Sequence, residues 1–312
     1  MPPQTANQTI TYLNSRRHRM CDDNIPNLFD NAPANTAEYW HASDLYNIGA
    51  TTVLNTPNST RTNFYQVIDP SELKKILNRD TPISFWEFIS HHAQPIRRTY
   101  CLTNTPVPRH ITNGDDTRLS RLACFLFTSA CPNIDATVPA YFACPDQNIN
   151  AIANTAAAIR RTRARAATKN AEHIMCGILY HTGKTPIGVA YNKIHNVLMN
   201  GYSAEALKHI HGIPATSRAP ITDYMQTCVL NARNAAIFNA IKKMDTAPTK
   251  SSSLFISLLC TEMYRARHYI IDTTGRTPEE HITTIGIKQL TSALQKQRTA
   301  LIRQYADITL CR

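Results

Sequence analysis

The feature that most restricts the fold is an alanine-rich stretch in the middle of the chain. Between Gln147 and Ala171 there is no acidic residue, and five residues are basic. At ~100° per residue, apolar and basic side chains fall on opposite faces of a helix. The apolar face carries Ile149, Ile152, Ala156 and Ile159, and the basic face carries Arg161, Arg165 and Lys169. This pattern predicts one long helix over 148–174 and a chain that is mainly helical.

The charge balance favours polyanionic partners. The chain of 312 residues has 33 Lys and Arg against 22 Asp and Glu, so its net charge is +11 and its pI is near 9.3. A row of like charges along one helix face repels itself, and a purely structural helix usually intersperses acids. We therefore expect the basic row to contact phosphates and to contribute more than Lys242, Lys243 and Lys250 do. A solvated face is the alternative.

Composition excludes several classes of protein. Hydrophobic residues make up 43% of the chain and charged residues 18%, which argues against a disordered chain. No apolar run approaches the ~20 residues that span a bilayer, and the start of the chain is polar, so we expect no membrane insertion or export. The nine cysteines are scattered without a CxxC pair, which favours free thiols in the cytoplasm and gives no metal site or cofactor.

Turn and loop signals in the sequence divide the chain into four parts. We expect a flexible basic extension over 1–36, a first domain over 37–147, the basic connecting helix over 148–175 and a helical C-terminal domain over 176–312. In the last part, Gly177 opens an expected turn, and Ser203 and Gly212 cap a short helix at its two ends. Thr277 and Glu280 fit a capping box.

Three ordered groups of motifs carry a resemblance to a known family. The first is Tyr39-Trp40-His41-Ala42-Ser43-Asp44-Leu45 with Asn63-Phe64-Tyr65-Gln66-Val67-Ile68. The second is Arg118-Leu119-Ser120-Arg121-Leu122-Ala123-Cys124 with Val138-Pro139-Ala140-Tyr141-Phe142-Ala143. The third is Asn192-Lys193-Ile194-His195-Asn196-Val197-Leu198, Ala204-Glu205-Ala206-Leu207-Lys208, Gly212-Ile213-Pro214 and Gly275-Arg276-Thr277-Pro278-Glu279-Glu280. Over 38–297 the set resembles the DNA-damage-inducible protein D family, with residues 49–62 as an insertion.

The resemblance implies both a fold and a role. It implies an α+β, mainly helical fold, in which a small-sheet domain like the Bro-N domain of phage antirepressors precedes a helical C-terminal domain. It implies a non-enzymatic, DNA-associated regulator of the damage and recombination response, located in the cytoplasm with the nucleoid. The expected partners are DNA, with single strands included, and a RecA-type recombinase filament, and homo-oligomerisation stays open.

The candidate site is a set of arginines and one lysine that would bind nucleic acid. The expected nucleic-acid-binding residues are Arg160, Arg161, Arg165, Lys169, Arg118, Arg121, Arg97 and Arg98. No GxSxG, P-loop, HExxH or GxGxxG motif occurs, so no catalytic residue is assigned. Two alternatives remain open: an antirepressor or anti-defence protein that acts through a protein partner, and a divergent metal-dependent nuclease.

Overall fold

A computed structural model describes residues 6–19, 38–41, 118–130, 134–183 and 197–310 of the chain, which include the helical residues 197–200, three short strands and eight further α-helices. The helices are α1 (Ala6–Ser15), α2 (Arg121–Ala130), α3 (Thr137–Ala143), α4 (Ile149–Gly183), α5 (Ala204–Ile210), α6 (Thr227–Thr246), α7 (Ser252–Thr274) and α8 (Ile287–Leu310). Two 3₁₀ turns lie at Ile221–Tyr224 and Pro278–His281. The strands are β1 (His18–Arg19), β2 (Glu38–His41) and β3 (Arg118–Ser120).

The fold class differs from the α+β expectation. The described part of the chain is 77% helical. Its strands have two, four and three residues and pair antiparallel in the order β1-β2-β3. Strands this short present no face large enough to cover a core, so they form a ribbon and not a sheet domain. The prediction of a small-sheet Bro-N-like domain is therefore wrong, and the described part of the chain is built from helices.

The chain separates into two compact units, and the first is discontinuous in sequence. The first unit comprises Met1–Ile159 together with Leu294–Arg312, and the second comprises Arg160–Ala293. The boundary thus falls inside α4 and again inside α8. The first of these boundaries lies within the helix that the sequence suggested as a connector. Beyond the second boundary, Leu294–Arg312 belong again to the first unit.

Aromatic packing builds the described core of the first unit. Trp40 is fully buried, and its ring meets those of Phe142 and Tyr141 edge to face at 5.0 and 6.1 Å between centroids. Its indole Nε1 donates to the carbonyl of Leu13 at 3.1 Å, and the Tyr141 hydroxyl bonds Asn14 Oδ1 at 2.8 Å. Both partners belong to α1, so this helix, which the sequence placed in a flexible extension, is part of the unit.

A helical hairpin organises the second unit. Helices α6 and α7 pack against each other on either side of a short loop, and Phe255, Leu259 and Met263 of α7 are fully buried in the core of the unit. Burying side chains of this size stabilises the unit by about 1.5–3 kcal/mol each. Ser251 caps α7 by accepting the N–H of Leu254. No helix in the described ranges combines the length and apolar character needed to cross a membrane.

Candidate nucleic-acid interface

Arg161, expected at the centre of a phosphate-binding row, is a buried residue of the second unit. Its guanidinium donates to three backbone carbonyls: Met225 at 2.8 Å, Asp223 at 2.9 Å and Ile285 at 2.6 Å. Burial lowers the pKa of Arg161, and the nearby Asp223 carboxylate opposes that shift. Because arginine stays protonated in proteins, the guanidinium remains charged here, and its hydrogen bonds hold α4 against two loops. The expectation that Arg161 projects into solvent is wrong.

Arg165 is also engaged within the fold. Its Nε lies 2.7 Å from Asp223 Oδ1, and its Nη1 lies 3.4 Å from Glu172 Oε2. The other Glu172 oxygen accepts from Arg233 Nε at 3.0 Å, and the Arg233 side chain is only 1% exposed. This chain of ion pairs links α4 to α6 and to the 3₁₀ turn before it. Arg165 therefore has little of its guanidinium left to offer a phosphate.

The remaining predicted residues of α4 are closer to solvent. Lys169 is exposed and Arg160 is half-buried. The structure therefore does not bring the four predicted α4 residues into one exposed row. The nucleic-acid role of Lys169 and Arg160 stays a prediction, and neither of them lies in a continuous basic face with Arg161.

Arg121 is fully buried in the first unit. Its Nη1 donates to the Tyr141 carbonyl at 3.1 Å, and its guanidinium lies 5.2 Å from the centre of the Trp40 ring. Such a cation over an aromatic face stabilises the packed core, so the expectation of an exposed Arg121 is wrong. Arg118 is the first residue of β3, where it is paired with His41. Arg97 and Arg98 lie outside the described residues, as does the insertion over 49–62.

The α6–α7 hairpin carries a group of cations. The sequence analysis expected its lysines to contribute less to phosphate binding than the basic row of α4. Glu262 of α7 is buried, and its Oε1 lies 2.5 Å from Lys243 Nζ and 2.8 Å from Arg265 Nη1. Burial alone would raise the pKa of Glu262, but hydrogen bonds and charge from Lys243 and Arg265 outweigh it and lower the pKa below its usual value. One carboxylate therefore anchors two cations, whose side chains remain 44% and 62% exposed.

Two more lysines lie on the same hairpin. Lys242 precedes Lys243 on α6, and Lys250 lies in the loop before α7; both are exposed. We call Lys242, Lys243, Lys250 and Arg265 the hairpin cations. The charges that oppose them are the anchoring Glu262 and the exposed Asp245. The Glu262–Arg265 spacing of three residues is a sequence signal for a helical ion pair, but only tertiary packing could show that Lys243 joins it.

The described residues show no arrangement typical of metal binding or thiol catalysis. Within the described ranges, no group of three or more His, Cys, Asp or Glu side chains is placed to hold a metal ion. Burial raises the pKa of the Cys144, Cys228 and Cys260 thiols, which disfavours their reactive thiolate forms. Cys144 is buried, and Cys228 packs against the core of the second unit.

No family model, no curated protein and no solved structure matches the chain. Comparison with known proteins therefore adds no constraint on this site. The resemblance to the DNA-damage-inducible protein D family stays a prediction from sequence motifs.

Proposed function

We propose that this protein is a non-enzymatic, DNA-associated binding protein whose hairpin cations contact the phosphate backbone. The observation that carries the proposal is the distribution of charge. The described residues hold the whole net charge of +11, because acidic and basic residues balance in the rest of the chain. A basic surplus of this size attracts polyanions, of which nucleic acid is the commonest in cells.

The ion pairs of the second unit concentrate this surplus at its surface. The half-buried or buried carboxylates of Glu172, Asp223, Glu262 and Glu279 already hold arginine or lysine partners. They are therefore not placed to neutralise exposed cations such as Lys242 and Lys250. Among the hairpin cations, Glu262 holds Lys243 and Arg265 in position, and Lys242 and Lys250 are exposed on the same hairpin.

The test is a salt titration of DNA binding by the full chain, followed by fluorescence anisotropy of a labelled oligonucleotide. If about four phosphates are contacted, log K should fall with log salt at a slope of about −3 to −4. The variant Lys242→Gln with Lys250→Gln should bind more weakly and flatten the slope by about 1 to 2. The matched control removes the same charge from two exposed lysines of α8, Lys288→Gln with Lys296→Gln, and should change binding less.

Two outcomes contradict the proposal. A chain that binds no DNA at low salt, or whose affinity is flat across the titration, has no electrostatic interface. Equal losses from the two lysine pairs would mean that net charge alone matters and that the hairpin is no site.

A regulatory role on a recombinase filament extends the proposal and has its own test. Binding to recombinase-coated single strands should exceed binding to bare strands if the protein acts on a recombinase filament. Equal binding would remove the filament from the proposal and favour a protein partner of the antirepressor type. Cleavage of the labelled DNA in Mg²⁺ or Mn²⁺ would favour the nuclease alternative instead.

A further inference from the structure

Aromatic side chains lie exposed on the outer face of α7. Tyr264 is 55% exposed and Tyr269 is 63% exposed, although the inward face of the helix is filled by other residues. The ring of His268, which is also exposed, meets the Tyr264 ring at 4.5 Å between centroids. The core does not require these rings, so their hydrophobic surface is available to a ligand.

Helix geometry sets the spacing of the two tyrosines. Five residues of α-helix rise about 7.5 Å, and five steps of ~100° leave the two tyrosines on opposite flanks of the exposed face. Arg265 and His268 fall between them around the helix axis. Stacked bases are about 3.4 Å apart along a strand, so Tyr264 and Tyr269 are too far apart to stack on the same base. Each ring would receive a different one.

The charge around the rings complements a phosphate backbone. Arg265 is held by Glu262 together with Lys243, so this group carries two positive charges against one negative charge. The opposing charge on the face is the exposed Asp272, one turn beyond His268, and the exposed Arg276 follows the end of the helix. The face is therefore positive at Arg265, beside the aromatic rings, and only its far end is acidic.

We propose that this face of α7 binds single-stranded nucleic acid, with bases stacked on Tyr264 and Tyr269 and the backbone running past Arg265. The inference rests on the proposed DNA-binding function and adds the site and the strandedness. Aromatic rings interleaved with cations are the common arrangement of proteins that bind single strands, because every base has a π-face on which to stack. In a duplex those faces are occupied by neighbouring bases, so the rings select unpaired strands.

The test compares the affinity of the full chain for a labelled 20-nucleotide oligo(dT) and for a duplex of equal length. Tyr264→Ala and Tyr269→Ala should each weaken binding of the single strand by about 5- to 150-fold, the range found when one stacking ring is removed. Both Phe variants should retain binding, because phenylalanine keeps the ring. The control is Tyr180→Ala, which removes a 67% exposed tyrosine from α4 and should leave affinity within about twofold.

The duplex and a charge variant complete the test. Affinity for the duplex should change less than twofold in both alanine variants, and Asp272→Asn should strengthen single-strand binding because it removes the acid from the face. If the alanine variants bind oligo(dT) as tightly as the wild type while DNA binding persists, the inference is wrong and the proposed function stands. If the wild type binds neither probe, both the inference and the proposed function fail.

Discussion

Arg161→Met separates a structural role from a DNA-binding role at the residue where the two interpretations differ most. The variant removes three hydrogen bonds to backbone carbonyls. All three carbonyls lose the guanidinium, but that of Ile285 keeps a second donor, the Thr283 hydroxyl at 3.0 Å, so only the carbonyls of Met225 and Asp223 lose a donor without such a replacement. A buried polar group that loses its partner costs about 1–3 kcal/mol, so we expect a loss of about 3 kcal/mol in the free energy of unfolding. Native domains have about 5–15 kcal/mol in total.

Urea unfolding followed by far-ultraviolet circular dichroism measures this loss. Arg161→Lys should lose nearly as much, because a single ammonium cannot reproduce the fan of donors that reaches three carbonyls. The control is Lys169→Met, which removes an exposed charge two turns later on α4 and should change stability by less than about 0.5 kcal/mol. An Arg161→Met protein that is as stable as the wild type but defective in DNA binding would refute the structural reasoning.

Three further predictions concern charge and backbone. The folded pKa of Glu262 lies below its ordinary value of 4.5, so its ion pairs add stability above that value that is lost as pH falls through the folded pKa. Glu262→Gln should remove that part of the acid dependence from urea unfolding measured between pH 6 and pH 3. Gly177→Ala, inside α4 with open space around the new methyl, should stabilise by about 0.5–1 kcal/mol, whereas Gly275→Ala, at φ +69° where α7 ends, should destabilise by about 1–2 kcal/mol in thermal melts. Ser203→Ala should cost about 1 kcal/mol by the same measurement, because the hydroxyl accepts the N–H of Ala206; an unchanged melting temperature would show that the cap contributes nothing.

Local sequence signals were sufficient to predict the helix caps. Ser203 accepts the first-turn N–H of α5, and Gly212, just after the helix, has φ +63°. The capping box between Thr277 and Glu280 is present, although it opens a short 3₁₀ turn and α8 begins only at Ile287. Hydrogen bonds over three residues do not depend on the rest of the fold, which is why these positions could be predicted.

The face of α4 could not be predicted, because its buried side changes along the helix. In the first unit Ile152 and Ala156 are buried, as the apolar pattern predicts, whereas Ile149 of the same predicted face is 57% exposed. In the second unit the buried positions lie about a third of a turn further around the helix. They are Arg161, Ala164, Thr168, Ala171, Met175 and Leu179. Because these positions include an arginine, a threonine and small residues, their apolar periodicity is weak. The sequence analysis therefore assigned this buried side of the helix to solvent.

The end of α4 was misplaced for a related reason. Gly177 predicts a turn, but Met175 and Leu179 on either side of it are buried in the core of the second unit, and α4 continues to Gly183. A glycine in a helix interior costs about 1 kcal/mol, less than the burial of two large side chains contributes. Tertiary packing outweighed the local preference.

The discontinuous first unit also affects how the chain folds during synthesis. Gln297 of α8 lies 3.2 Å from the carbonyl of Ala143, and both residues belong to that unit. Domains generally fold as units while the ribosome extends the chain. The first unit here cannot be completed in that order, because its second segment, Leu294–Arg312, is translated only after every residue of the second unit. The first unit therefore gains its last contacts only after the second unit has been synthesised, and no single cut in the chain yields two intact halves.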